Sequence, residues 1–415
     1  MKKFKYLFLL YCFSMNAQTL TLQQCYQLAR ENYPLIKRND LLAKSKDYTV
    51  EKASKAWLPQ INILGQATYQ SDVTQLPIKL PNATVEPLSK DQYKVFADVN
   101  QTIFDGGMIS NQKKIAELQS QTEIQKNEVE LEKLKDRINQ LFFGIIQTDE
   151  QINQLDLSKS DLQNGLKKAE AQLNNGTILR SNVDVLKAQL INIEQQQIEL
   201  KSLKSSFIKM LSFFINKNLD ENTQLEKPEK LLLTNENNRP ELKLFDLQKQ
   251  LSESQKSLIK SKNLPKLGAF LQAGYGKPGL NMLKNEFDTF FIGGIKLNIP
   301  ISGFYTKINE LALIDNQQQD IDIQKENFLF NQKFSMIQNS NDLEKIQKLI
   351  DKDIEIISLR ESIKKASLAQ LENGVINTND YLREVNAEEQ AKISKIKHEI
   401  QYLLTQYNLK TQLGN

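Results

Sequence analysis

The sequence predicts a mainly α-helical chain with a small β part, written twice in tandem. Three observations carry that prediction. Helix breakers are scarce, short alternating segments interrupt helix-period runs in each half, and blocks of the first half recur in order in the second. Of 415 residues, 40% are apolar and 25% charged, with only 10 prolines and 15 glycines. So few breakers favour long helices joined by few turns.

The strands come first. In KASKAWLPQINILGQATYQ, Lys52 to Gln70, a charged helical run stops at Leu58-Pro59. Beyond Pro59, residues Ile61, Ile63, Gly65, Ala67 and Tyr69 share one parity, and Asn62, Gln66, Thr68 and Gln70 the other. Proline cannot continue a helix, and a period of two marks a strand with two different faces. The same change of character occurs at Leu264-Pro265. Strands are expected at about 59–73, 93–104, 265–275 and 290–299. Ten-residue segments with one apolar face match a bilayer-spanning β-strand in length and pattern. A soluble sandwich strand with one buried face gives the same alternation.

The tandem repeat is visible block by block, and the two opening stretches align without gaps. Pro34, Pro59 and Tyr69 stand over Pro240, Pro265 and Tyr275 at one constant offset. Gly107, Ile115 and Ala116 stand over Gly303, Leu311 and Ala312, and Leu173, Asn175 and Gly176 over Leu371, Asn373 and Gly374. Each half reads helix, strand, loop, strand, long helix, glycine turn, long helix. The first repeat spans 18–220 with its helical hairpin turning near 176, and the second 239–415 with its turn near 374. Residues 215–238 join them.

The long helices carry seven-residue ladders: Leu134, Leu141, Leu155, Leu162, Ala169; Leu186, Ile193, Leu200, Phe207, Phe214; and Leu343, Ile350, Ile357, Leu371. Strict sevens mean about 3.5 residues per turn and left-handed supercoiling against neighbours. A helix from Gly107 to Asn174 would be about 100 Å long at 1.5 Å per residue.

The first 17 residues read as a secretory signal: Lys2, Lys3 and Lys5, then YLFLLYCFSM, then the small Ala17. The apolar stretch is too short to span a bilayer. Bulky Tyr11 before Cys12 makes a poor lipoprotein site. Of 54 Lys and Arg, the leader holds three, which leaves 51 against 50 Asp and Glu. Nothing electrostatic points to nucleic acid. Cys25 alone remains after cleavage, so no intrachain disulfide forms. Past the leader no apolar run reaches 18 residues, so an exported chain is soluble or spans by strands.

An enzyme is disfavoured. The one histidine, His398, lies inside the last heptad helix. No metal-ligand spacing, phosphate-cradling loop or nucleophile–base set occurs, and no cofactor is expected.

Four strands leave two open edges, and no open edge can sit in hydrocarbon. The smallest natural membrane barrels have about eight strands. Copies of the chain must therefore combine; two would supply eight strands and three twelve. Trp57, Phe104, Phe290, Phe291, Phe304 and Tyr305 at strand ends suit an interfacial belt or packing at a helix–strand corner. The loops at 76–91 and 276–285 would face outward.

These blocks resemble the TolC-like outer membrane efflux protein family. TLTLQQCYQLARENYPLI, Thr19 to Ile36, resembles its opening helix, and RPEL at Arg239–Leu242 the second-half counterpart. LPQI and LPKL, at Pro59 and Pro265, resemble its helix-to-strand junctions. QTIFDGG, with Gly106 and Gly107, resembles the strand-to-helix return, for which Gly303 stands in the second half. LNNG and LENG resemble its helical turns. The resemblance implies a homotrimer: a twelve-stranded outer-membrane barrel in lipid, continued by a long coiled helical tunnel through the periplasm. It implies a passive exit duct of a tripartite efflux or type I secretion system. Substrate would arrive from an inner-membrane transporter of RND or ABC type through a periplasmic adaptor. The adaptor would contact the turns at Gly176 and Gly374. In the family an Asp commonly follows the turn glycine by six residues, as Asp380 follows Gly374; Asp184 follows Gly176 by eight. A carboxylate constriction would rest on Asp380, with Arg383 available to pair it. Asp380 also suits a cap of the helix that starts there. The rival reading is an exported coiled-coil scaffold without a pore.

Overall fold

A computed structural model describes residues 19–74, 87–231 and 236–415. The expected leader, with Lys2 and Ala17, lies outside them, as do most of the loop expected at 76–91 and part of the joining segment.

Among the described residues seven α-helices and four strands follow one another: α1 Leu22–Asn32, α2 Lys37–Ser54, β1 Gln60–Tyr69, β2 Asp91–Phe104, α3 Met108–Asn174, α4 Arg180–Ile215, α5 Pro240–Lys262, β3 Lys266–Lys277, β4 Asp288–Asn298, α6 Phe304–Glu372 and α7 Thr378–Gln412. Two short 3-10 turns, Pro34–Ile36 and Lys55–Trp57, flank α2. The chain divides into two compact units. Of the described residues, one holds those up to Ile36, Asn127–Pro240 and Phe328–Asn415; the other holds those of Lys37–Lys126 and Glu241–Asn327. Each unit draws on both halves of the sequence, and α3 and α6, 67 and 69 residues long, run through both.

In the first unit the heptad ladder of α3 is core. Leu134, Ile138, Leu141, Ile145 and Phe142 pack with Leu22, Cys25 and Ala29 of α1, Leu211 and Ile215 of α4, and Ile400 and Leu403 of α7. A second cluster continues the sevens with Leu155, Leu162 and Ala169 of α3 against Leu186 and Ile193 of α4 and Leu382 of α7. Thr21 starts α1 with a full capping box to Gln24, the arrangement that satisfies orphan N–H groups at a helix start. A parallel bridge between Leu20 and Leu225 ties the joining segment to the chain's beginning. Asn139 is fully buried, accepts from the Tyr26 hydroxyl and donates to Asn408 Oδ1 at 3.0 Å. A satisfied polar network inside an apolar core fixes the relative setting of α1, α3 and α7.

The second unit carries the sheet. Its order is β1-β2-β3-β4 with every pair antiparallel, so β1 and β4 form the edges and run in opposite directions. β1 stops at Tyr69, short of the 73 expected; the bond from the Gln70 N–H to the Lys90 carbonyl at 2.9 Å is the last rung of its ladder with β2. β4 starts at Asp288, two residues early, because Asp288 pairs Gly276 across the ladder.

Candidate channel wall and hairpin tips

The sheet register sorts side chains onto two faces. Ile63, Ala97, Ala273 and Phe291 lie in one row, and Ile61, Val99, Leu271 and Gly293 in the next. Tyr69, Tyr93, Val95, Tyr275, Ile295 and Leu297 share that face, which is apolar across all four strands. It is uncovered: Ile63 is 80% exposed and Phe291 75%. Phe287 stacks on Tyr275 with ring centroids 5.4 Å apart. The opposite face carries Asn62, Gln66, Lys94, Asp98, Asn100, Gln272, Lys296 and Asn298. Leaving so many large apolar side chains in water on one sheet face is costly, at about 25 cal/mol per Å² of apolar surface. Lipid removes that cost.

At the inner end of the sheet the return turns are built on α5 and its end. Gly106 and Gly107 take left-handed φ of 72° and 84°. Asp105, buried, accepts from the N–H groups of Gly107 at 2.8 Å and Ile109 at 2.6 Å, and so caps the start of α3. A Cβ on Gly106 would lie 2.8 Å from Leu264 Cβ. Gly303 has no left-handed φ; there a Cβ would fall 2.1 Å from Asn263 Oδ1. Both returns thus rest against the segment that ends in Pro265; close approach favours glycine at 106 and 303, and the left-handed φ favours it at 107. Pro59 and Pro265 sit immediately before β1 and β3. Leu58 and Leu264 beside them are exposed, as are Trp57, Phe104, Phe304 and Tyr305.

The two hairpin tips have one hydrogen-bond pattern. Gly176 N–H bonds Leu173 O at 2.9 Å and Thr177 N–H bonds Gln172 O at 2.9 Å; Gly374 N–H bonds Leu371 O at 3.0 Å and Val375 N–H bonds Gln370 O at 2.8 Å. With φ of 72° and 69° at the two glycines, each is a Schellman motif.

Asp380 lies in the first turn of α7 but does not cap it. Asn377 does: its side-chain oxygen accepts from the Asp380 N–H at 3.0 Å. Asp380 keeps its carboxylate near the positive end of the helix dipole. Arg383 turns to Glu384 at 3.4 Å, not to Asp380, and Glu384 also holds Arg360 at 3.0 Å. Asp184, exposed, stands 3.8 Å from Arg180 one turn away.

Behind the tips lies a cavity of about 920 Å³ between the α3–α4 and α6–α7 hairpins, with Tyr381, Glu388, Glu389 and Lys364 on its wall. Sequence reading missed its carboxylates. Glu389 accepts from Ser158 and from Gln154 Nε2, and burial pushes its carboxyl above the ordinary range. Its neighbour Glu388 goes the other way. Burial opposes ionisation, but hydrogen bonds from Lys364 and Lys392 outweigh it and lower the carboxyl. His398 faces Asp353 at 2.6 Å between α7 and α6. Among the described residues no cluster of His, Cys, Asp and Glu could hold a metal ion, and no helix is long and apolar enough to cross a membrane.

An edge-open antiparallel sheet with a bare apolar face, carried on very long coiled helices, defines the fold of outer-membrane channels, and solved structures of such channels match it. The CmeC outer membrane channel of Campylobacter jejuni matches with a TM-score of 0.66 at 13% identity, over 95% of this chain and 85% of that one. The outer membrane protein VceC of Vibrio cholerae matches with 0.69 at 12%, over 95% and 96%. The open state of the MtrE outer membrane channel of Neisseria gonorrhoeae matches with 0.68 at 12%, over 95% and 89%. Comparison with curated proteins gives no match. The family model described as Outer membrane efflux protein matches residues 25–208, from α1 into α4.

Proposed function

We propose that the chain is the outer-membrane exit duct of a tripartite efflux system, passing substrate outward without chemistry of its own. The observation that carries this is the sheet: one face apolar across four strands and bare, the other carrying the polar and charged side chains beside a few apolar ones, both edges open. In lipid the bare face is solvated and each open edge needs a strand. β4 of one copy meets β1 of the next antiparallel, so three copies complete a homotrimeric barrel of twelve strands. A soluble scaffold would leave that apolar face in water.

The helices supply independent support for copies. On α6, Ile323, Phe330 and Ile337, then Leu349, Ile356 and Ile363, are exposed apolar residues in steps of seven. Such stripes suit neighbouring helices of further copies. The duplication is read in the same way. The matched bonding at 171–177 and 369–375 supports one ancestral unit repeated.

The helical hairpins reach through the periplasm, and their tips receive the adaptor that links the duct to an inner-membrane transporter of RND or ABC type. Exposed Leu179 and Val375 beside the two glycine turns support contact there. Asp380 and Asp184 line the tip, and Arg383 and Arg180 set the charge around them. An amino-terminal signal exports the chain.

Fractionation tests the reading. The protein is expected in outer membranes, extracted by detergent as an oligomer whose gel mobility shifts on boiling, with the mass of three chains. A freely soluble monomer overturns it.

A further inference from the structure

The polar face of the sheet is not polar throughout. Leu64, Phe96, Gly274 and Phe290 form one cross-strand row, Asn62, Asp98, Gln272 and Ile292 the next, and Asn100, Phe270 and Gly294 the one after. Every strand therefore contributes to a belt of five large apolar side chains. Charged rows bracket it, with Lys94 and Asp288 on one side and Lys296 on the other.

The rings lie along the wall. Phe96 and Phe290 flank bare Gly274 with centroids 6.2 Å apart, and a Cβ at 274 would come within 2.4 Å of Phe96 Cβ. Phe270 covers Gly294, where a Cβ would lie 3.1 Å from the ring. Leu64 and Ile292 remain 44% and 40% exposed. In the row beside the rings, the Asp98 carboxylate is held by Asn100 Nδ2 at 2.6 Å and Gln272 Nε2 at 2.9 Å. An aqueous channel wall gains nothing from three phenylalanines, whereas an apolar solute loses water contact against them. Ring faces attract cations, and a fixed carboxylate selects positive charge.

We propose that this belt is a transit site for aromatic cations, which slide along the phenylalanines with Asp98 as counter-ion. The inference rests on the channel reading, in which this face lines the lumen.

The test is the current through the purified oligomer in a planar bilayer, with probes added on the barrel side. Tetraphenylphosphonium is expected to reduce the potassium chloride current at lower concentration than tetraethylammonium, which lacks rings, or tetraphenylborate, which reverses the charge. Phe96→Ser and Phe290→Ser are each expected to raise the half-blocking tetraphenylphosphonium concentration about threefold, the weight of one exposed ring–cation contact. Asp98→Asn, which keeps the side-chain shape, should raise it for tetraphenylphosphonium and lower it for tetraphenylborate, which the carboxylate no longer repels. Should either serine variant fail to assemble, the ranking of the three probes on the unaltered protein and the Asp98→Asn result decide alone. Equal block by all three probes, or unchanged block in the variants, overturns the proposal and leaves the rings as mere covers for glycine backbone. Absence of any current step overturns the channel reading itself.

Discussion

Glycines at three positions are needed for two different reasons, and substitution separates them. At Gly176 and Gly374 a Cβ would meet nothing within 4 Å, but φ is left-handed. Alanine there should cost about 1 kcal/mol each, read as a lower melting temperature with the oligomer intact. At Gly274 φ is ordinary, but a Cβ would lie 2.3 Å from Val95 O. Gly274→Ala should therefore displace β2 from β3 and reduce assembled protein more than either tip variant, measured by unheated gel mobility. Glu389 offers a pH test. Its proton is held more tightly folded than unfolded, so it lowers stability as pH rises from the ordinary glutamate value through the raised one. Glu389→Gln removes that penalty while keeping acceptors for Ser158 and Gln154. The variant should melt higher than the parent at neutral pH and no higher at pH 4, followed by thermal denaturation in detergent. The sequence offered no sign of this group: Glu388 and Glu389 are adjacent and identical, and only packing assigns them opposite shifts.

Element ends follow the same rule, in that partners distant in sequence decide them. Pro59 and Pro265 mark the strand starts because proline forbids the helix whatever surrounds it. The first strand's far end, by contrast, depends on Lys90 reaching Gln70, which no local pattern announces. Caps were partly legible. Asn377 is an ordinary N-cap residue, and Asp105 accepts helix-start N–H groups from two residues before the N-cap position, yet the spacing from Gly374 drew attention to Asp380, and the double glycine to Gly106 and Gly107. Asp105→Ala should cost about 1–2 kcal/mol, at the upper end for caps because the carboxylate is buried. Asn377→Ala should cost about 1 kcal/mol and speed hydrogen exchange at the first amides of α7, with little change elsewhere. Faster exchange spread over the whole of α7 would mean that tertiary packing, not the cap, sets the local stability.

At the scale of the molecule, the four alternating strands and the heptads were readable, because each is a periodicity and periodicities survive without partners. The two compact units were not readable. They take pieces from both halves, and contacts between remote segments leave no periodic trace. Nor could ladders be sorted into covered and bare ones. Leu155 and Leu162 are buried, whereas Ile323 and Phe330 in the same spacing are exposed. The oppositely directed edges β1 and β4 carry a kinetic consequence. Joining two copies satisfies one pair of rims and still leaves two raw rims, as many as a lone chain has. Every arc, whatever its size, keeps two raw rims until its last seam shuts, and that seam forms within a single assembly and needs no further copy. Half-built arcs should therefore be transient, and material trapped during insertion into lipid should divide between single subunits and finished rings.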